Sequence, residues 1–242
     1  MDGHAINAMD FESYAGQMVR YYDNLSNDAR KTHESRWAAR YREEFNTPGN
    51  WLREVALALQ DATRGKRVVE LACGHCRWTP FIAEVAESVL ATDLAPNMLE
   101  WGRQLLPHAA PQTHNIELRL ANAYRPDEID GEFDAAAVVN FFQHVPIARH
   151  DDFLILLHAK LLPGATVFIA CNHLPDRKSL FTRGDGTRDT YTRRTRPDGT
   201  VYEIIDNIFD GPGLRLLLSP HAEGRVNYVS GQKYWWVTYT VA

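Results

Sequence analysis

Between residues 67 and 173 short apolar runs alternate with longer amphipathic ones, and this alternation restricts the fold more than any other feature. "RVVELA", "VLATDL", "IELRLANA", "FDAAAVVNFF" and "ATVFIACNH" have the length and apolar content of strands. Between them stand "PFIAEVAESV", with Pro80 suited to a first helical turn, and "APNMLEWGRQLLP", stopped at Pro107. "ARHDDFLILLHAKLL" is a third helix, ended by Pro163-Gly164. Strands that are apolar throughout and joined by helices call for a parallel sheet covered on both faces.

The flanks read differently. Residues 10–64 are expected to be helical, with "ESYAGQMVRYYDNL" and "ARKTHESRWAARYREEF" carrying apolar and aromatic side chains at helical spacing. "WLREVALALQDAT" places Trp51, Leu52, Val55 and Leu59 on one side, and Gly65 closes it. Beyond the fifth strand, "RDTYTRRT" and "TVYEIIDNIF" flank a Pro-Asp-Gly turn and predict a β-hairpin over about residues 186–209. "GLRLLL" predicts a short helix, and "GRVNYVSG" and "QKYWWVTYTVA" two further strands. The expectation is an α/β fold with a seven-stranded, mostly parallel, Rossmann-like sheet between helices. Residues 1–64 form a helical cap and residues 65–242 the domain that carries the hairpin.

A net charge of −5 gives no electrostatic footprint for nucleic acid, and "RRTR" at Arg193 to Arg196 is too short to make one. No apolar run approaches the roughly 18 residues of a membrane span, and "MDGHAINAMDF" has no signal-peptide pattern. Three cysteines do not make a disulfide framework, so a cytoplasmic setting is expected.

The stretch "RVVELACGHCRWTPF" contains Cys-Gly-His-Cys, the chemistry of a disulfide-exchange site. A dithiol of that kind belongs to a shorter domain than this alternation builds. Zinc would need four ligands, and Cys73, His75 and Cys76 have no second pair, since Cys171 stands alone. A nucleoside site accounts for more. After a first parallel strand the backbone must turn sharply and let a ligand approach, which favours the small residues Ala72, Cys73 and Gly74. A carboxylate at the end of the second strand, about 20 residues on, can bind both ribose hydroxyls, and Asp93 stands there.

With these residues in view, the chain resembles a class I S-adenosylmethionine-dependent methyltransferase over about residues 65–175. "ELACGHC" matches the first motif, with Glu70 as its acid and Ala72 and Gly74 at two glycine places. "ATDLAPNMLEWGR" matches the second: the resemblance implies that Asp93 holds the ribose and that Leu94 and Met98 pack the adenine. "LANAY" is similar to the adenine-reading segment, with Asn122 at the exocyclic amine and Ala123 giving a backbone N–H. "FDAAAVVNFFQHVP" and "LLPGATVFIA" resemble the fourth-strand motif and the approach to the fifth strand. Two departures stand out. Cys76 takes the third glycine place, where it packs against the following helix or reshapes the pocket, and the neutral Asn122 replaces an acid.

The implied cofactor is S-adenosylmethionine, and the implied reaction is in-line methyl transfer to a nitrogen or oxygen of a small molecule, as in specialised metabolism. Positioning and exclusion of water carry most of such catalysis. Asn140 to His144 should face the reacting sulfur. Asn140 superficially resembles the start of an amino-methyltransferase motif or binds the methionine amino group. Phe141 and Phe142 are core or ring faces for the sulfonium. His144 is a base for a phenol, amine or heterocycle, or a surface or helix-capping residue. The resemblance implies a lid over the methionine end, a place that Tyr22 takes, with Tyr21, Trp37 and Tyr41 as further lid aromatics. Tyr191, Tyr202 and "KYWWVTY" add aromatic surface for an acceptor or for a homodimer. Two other readings keep the cofactor: attack on another carbon of the sulfonium, with methylthioadenosine as product, and binding without catalysis.

Overall fold

The computed structural model describes residues 13–24, 43–110, 114–173, 179–184 and 186–242. Trp37 and Tyr41 lie outside the described residues.

The strands β1 (Arg67–Leu71), β2 (Ser88–Asp93), β3 (Ile116–Leu120), β4 (Phe133–Val139), β5 (Leu161–Asn172), β8 (Ala222–Ser230) and β9 (Tyr234–Val241) form one sheet in the order β3-β2-β1-β4-β5-β9-β8. The first five are parallel; β9 runs antiparallel to β5, and β8 antiparallel to β9. β6 (Tyr191–Thr195) and β7 (Val201–Ile205) make the separate hairpin. The fold class is the one expected.

The period-2 alternation of each strand divides the core. Val68, Ala135, Ala137 and Phe168 point to one face, where they meet α2 (Trp51–Thr63), α3 (Thr79–Ala83) and Leu99 of α4 (Pro96–Ala109). Val69, Leu71, Ala136, Val138 and Ile169 point to the other, against α5 (His150–His158) and α6 (Gly211–Leu218). α2 starts where the Asn50 side chain accepts the N–H of Leu52 at 2.9 Å, and it buries Leu52, Val55 and Leu59. A first helix, α1, runs through residues 13–24 and buries Ala15 and Met18.

Several boundaries moved. α3 closes after Ala83, well short of the expected "PFIAEVAESV", because the chain must return to Lys66, whose carbonyl takes the N–H of Glu87. α4 continues through Pro107 to Ala109; proline near a C-terminus removes a single N–H, and Ala110 still donates to the Leu106 carbonyl. Pro163-Gly164 lies inside β5 rather than at a helix end, since Leu161 already pairs with Phe133 ahead of an irregularity in register. The tail is not aromatic surface. β9 is paired on both edges, and Tyr234, Trp235 and Tyr239 are buried, as is Tyr191 within the hairpin.

Strand order reverses between β1 and β4. In open α/β sheets the crevice beyond the carboxyl ends of such strands is where a ligand can lie.

Candidate active site

That crevice holds a cavity of about 270 Å³, walled by the loops after β1, β2, β3 and β4 and closed on one side by α1. The loop after β1 shapes it. Ala72, Gly74 and Cys76 take φ of 52°, 57° and 64°, so every second residue is left-handed and the backbone folds tightly back on itself. For Ala72 and Cys76 this is strained, at about 1–3 kcal/mol each. The Cys76 thiol is buried against Gly102 of α4: a methyl group added to Gly102 would meet its Sγ at 2.5 Å. Cys76 therefore packs against the following helix, as one of its two expected roles required.

Asp93 is the anchor. Its Oδ2 accepts the Gly74 N–H and its Oδ1 the Ala95 N–H, each at 2.8 Å. Burial raises its pKa while the N–H donors of Ala95, Gly74 and Leu94 pull it back. With three backbone donors on its roughly four lone-pair sites, the carboxylate keeps room for a further donor. Leu94, Met98 and Ala123 line the same cavity, as do Ala72 and Gly74. Asn122 lines it too, but its carbonyl oxygen already accepts the Tyr124 N–H at 3.0 Å, so the side chain first of all builds the turn.

Glu70 does not line the cavity. It is buried behind the loop, where it takes the Thr79 hydroxyl at 2.6 Å, and desolvation pushes its pKa up to about 8. Glu70 is thus a brace for the loop, and among the described residues no cation offsets the burial that favours its protonated form. Asn140 lines the cavity, as expected of it, with its amide engaged on the protein side. With φ 58° it ends β4, its Nδ2 donates to the Tyr234 hydroxyl at 2.8 Å, and its Oδ1 accepts the Asn172 N–H at 3.2 Å. That amide ties β4 to β5 and β9; it is a positioning group.

The dithiol reading fails on environment. Cys73 and Cys76 are both buried, and the neighbouring Cys76 thiol together with burial holds the Cys73 pKa well above normal. An exchange site needs the opposite: an exposed thiolate.

At the other end of the cavity stand Tyr22 and His144. The His144 Nδ1 lies 2.6 Å from the Ile205 carbonyl, and its Nε2 lies 3.4 Å from the Tyr22 hydroxyl. Burial lowers its pKa, so the ring is neutral near pH 7. His144 is not the surface residue of the alternative reading. Tyr21 packs edge-on against Tyr22 and Tyr202. α1 is pinned over the cavity by Asp23, which accepts from Asn97 N and Nδ2 at 2.8 and 2.9 Å at the start of α4. Sequence reasoning missed Arg77 and Trp78, which also line the cavity. Arg77 is the only lysine or arginine to do so among the described residues, and the Trp78 indole N–H is buried without a hydrogen-bond partner. Only their place in the loop after β1 could have flagged them.

Residues 68–164 match the family described as "Methyltransferase domain". The ubiquinone biosynthesis O-methyltransferase of Xanthomonas campestris pv. campestris is 28% identical over 155 residues, 60% of this chain and 57% of that one. The chain thus spans little more than half the length of such curated relatives. Among solved structures, the DhpI-SAM-HEP complex superposes with a TM-score of 0.67 at 21% identity, over 98% of this chain and 99% of that one. The 1,6-didemethyltoxoflavin-N1-methyltransferase of Burkholderia thailandensis, with bound 1,6-didemethyltoxoflavin and S-adenosylhomocysteine, gives a TM-score of 0.59 at 18% identity, over 100% and 93%. Residues 68–164 are thus similar to a methyltransferase domain, and the solved structures share the fold over nearly the whole chain.

Proposed function

We propose that this chain binds S-adenosylmethionine in the cavity beyond β1, β2 and β4 and transfers its methyl group to a small-molecule acceptor. The observation that carries this is Asp93, a half-buried carboxylate held by the Gly74 and Ala95 N–H groups on the wall of a mostly apolar chamber. The residues present suit the cofactor. Asp93 accepts from the ribose hydroxyls, while Leu94, Met98 and Ala123 offer apolar surface to the adenine. Arg77 and the unpartnered Trp78 N–H provide a cation and a donor for the carboxylate of the methionine arm.

When bound, the cofactor supplies an electrophilic methyl group on a sulfonium sulfur. The protein's part is to orient the acceptor in line with that methyl and to exclude water, which α1 does by closing the cavity. The apolar lining and the small volume favour a compact acceptor over a macromolecule. The activities named for the similar quinone-pathway and toxoflavin enzymes, both on small molecules, support the same reading.

Calorimetric binding of S-adenosylmethionine, with Asp93→Ala alongside and products analysed by mass, tests it. Saturable binding lost in Asp93→Ala is expected, and S-adenosylhomocysteine as product with an accepted acceptor. Methylthioadenosine instead would show attack on another carbon; no binding would sink the assignment.

A further inference from the structure

We propose that His144 is the general base of this site, that the β6–β7 hairpin fixes which of its nitrogens reacts, and that the acceptor is a neutral, weakly acidic O–H or ring N–H that surrenders its proton as it is methylated. This rests on the methyl-transfer reading and names its acceptor class.

The tautomer follows from the geometry. A carbonyl oxygen can only accept, so the 2.6 Å contact from Nδ1 to the Ile205 carbonyl places the proton on Nδ1. In the neutral ring Nε2 is then a bare lone pair. It points toward the Tyr22 hydroxyl at 3.4 Å, a long contact that an acceptor hydroxyl can replace. The main chain is fixed from both sides: the His144 carbonyl accepts from Tyr124 at 3.2 Å and from Tyr14 at 3.4 Å, and Tyr14 in turn accepts the Ile205 N–H at 3.2 Å.

The hairpin brings a second group. Asp206, next after Ile205, has no exposed surface; it accepts from Gln143 at 3.2 Å, from Thr192 at 3.4 Å and from Arg194 at 3.2 Å. Its charge favours a protonated His144 and that of Arg194 opposes it. Tyr22, Tyr14 and Tyr124, the other titratable groups packed around the ring, are all raised by burial and stay neutral. Asp206 is thus a positioning residue that stabilises the imidazolium without touching the substrate.

In the step, Nε2 takes the acceptor's proton while the acceptor's oxygen or nitrogen bonds the methyl carbon. The carbon–sulfur electron pair stays on sulfur. The positive charge passes to His144 beside Asp206 and leaves as a proton to solvent when α1 opens. An alkylammonium acceptor is disfavoured: among the described residues Asp93 is the only acid lining the cavity, and it already accepts the Gly74 and Ala95 N–H groups.

The test begins away from turnover. Long-range proton–nitrogen spectra of protein labelled with nitrogen-15 histidine, the His144 signals assigned with His144→Gln, should show a protonated Nδ1 and a bare Nε2 at neutral pH. Asp206→Asn should lower the His144 pKa, and Arg194→Gln, on a half-exposed side chain, should raise it. These opposite shifts are not what loosened packing would give, and Arg194→Gln keeps the test open if Asp206→Asn does not fold. With S-adenosylhomocysteine present, 4-nitrophenol should bind with an absorption band shifted by its hydrogen bond to Nε2, and His144→Gln should abolish that shift. A protonated Nε2, unmoved pKa values in both variants, or a nitrophenol band that His144→Gln leaves unchanged would overturn the proposal. Failure of the wild type to bind S-adenosylmethionine would instead defeat the methyl-transfer reading and leave the tautomer result standing.

Discussion

A carboxyl group with no exposed surface must find a cation or give up its charge, and Glu70 gives it up. Its native pKa, about 8, stands above the ordinary 4.5, so the folded protein holds a proton that the unfolded chain releases. Stability from this group is complete below pH 4.5 and is lost as pH rises through about 8. Glu70→Gln should flatten that slope in urea melts taken across the window while keeping a hydrogen bond to Thr79. The cysteines make a second case. All three are buried, so a thiol reagent such as Ellman's should react slowly with the native protein and with three thiols once denaturant is added. A fast reaction of two thiols in the folded state would restore the dithiol reading. Asp93 was legible in the sequence because strand length and spacing locate it. The engagement of Asn140 was not, since its partners Tyr234 and Asn172 lie far along the chain.

At the scale of elements, the loop after β1 and helix α4 are shaped to each other. Gly102→Ala would drive a methyl into the Cys76 Sγ, and overpacking of this kind costs about 1–3 kcal/mol. Thermal melts should show that loss, and Cys76→Ala in the same chain should recover part of it; additive losses would mean that the two positions do not touch. α1 is a lid, held near its C-terminal end by the Asp23 carboxylate and against the hairpin by Tyr14 and Gln17. Asp23→Ala removes both bonds to Asn97, and we expect a faster release of S-adenosylmethionine in stopped-flow measurements with little change in the urea midpoint. An unchanged release rate would show that α1 does not gate the site. The hairpin was legible from Pro-Asp-Gly and its alternating flanks. Its attachment beneath His144 was not, because nothing local relates Ile205 to a residue 61 positions earlier.

For the whole molecule, ligand binding and folding are linked. At a hundredfold excess over Kd, S-adenosylmethionine should stabilise the chain by about 2.7 kcal/mol, which is roughly 5–10 °C in Tm for a protein of this length. Asp93→Ala should abolish the shift, and a shift that survives would place the cofactor elsewhere. Among the described residues no helix is long and apolar enough to cross a membrane. The sequence by itself determined the parallel α/β sheet, the order of its elements, the loop that carries Gly74 and the strand end that carries Asp93, because periodicity and strand-end spacing act over a few residues and survive in the linear code. Only the tertiary structure decided which polar groups face the cavity and which brace it, which nitrogen of His144 holds a proton, and that the aromatic tail is core. Those outcomes depend on burial and on partners brought together from distant strands, and neither is written in any single stretch of the chain.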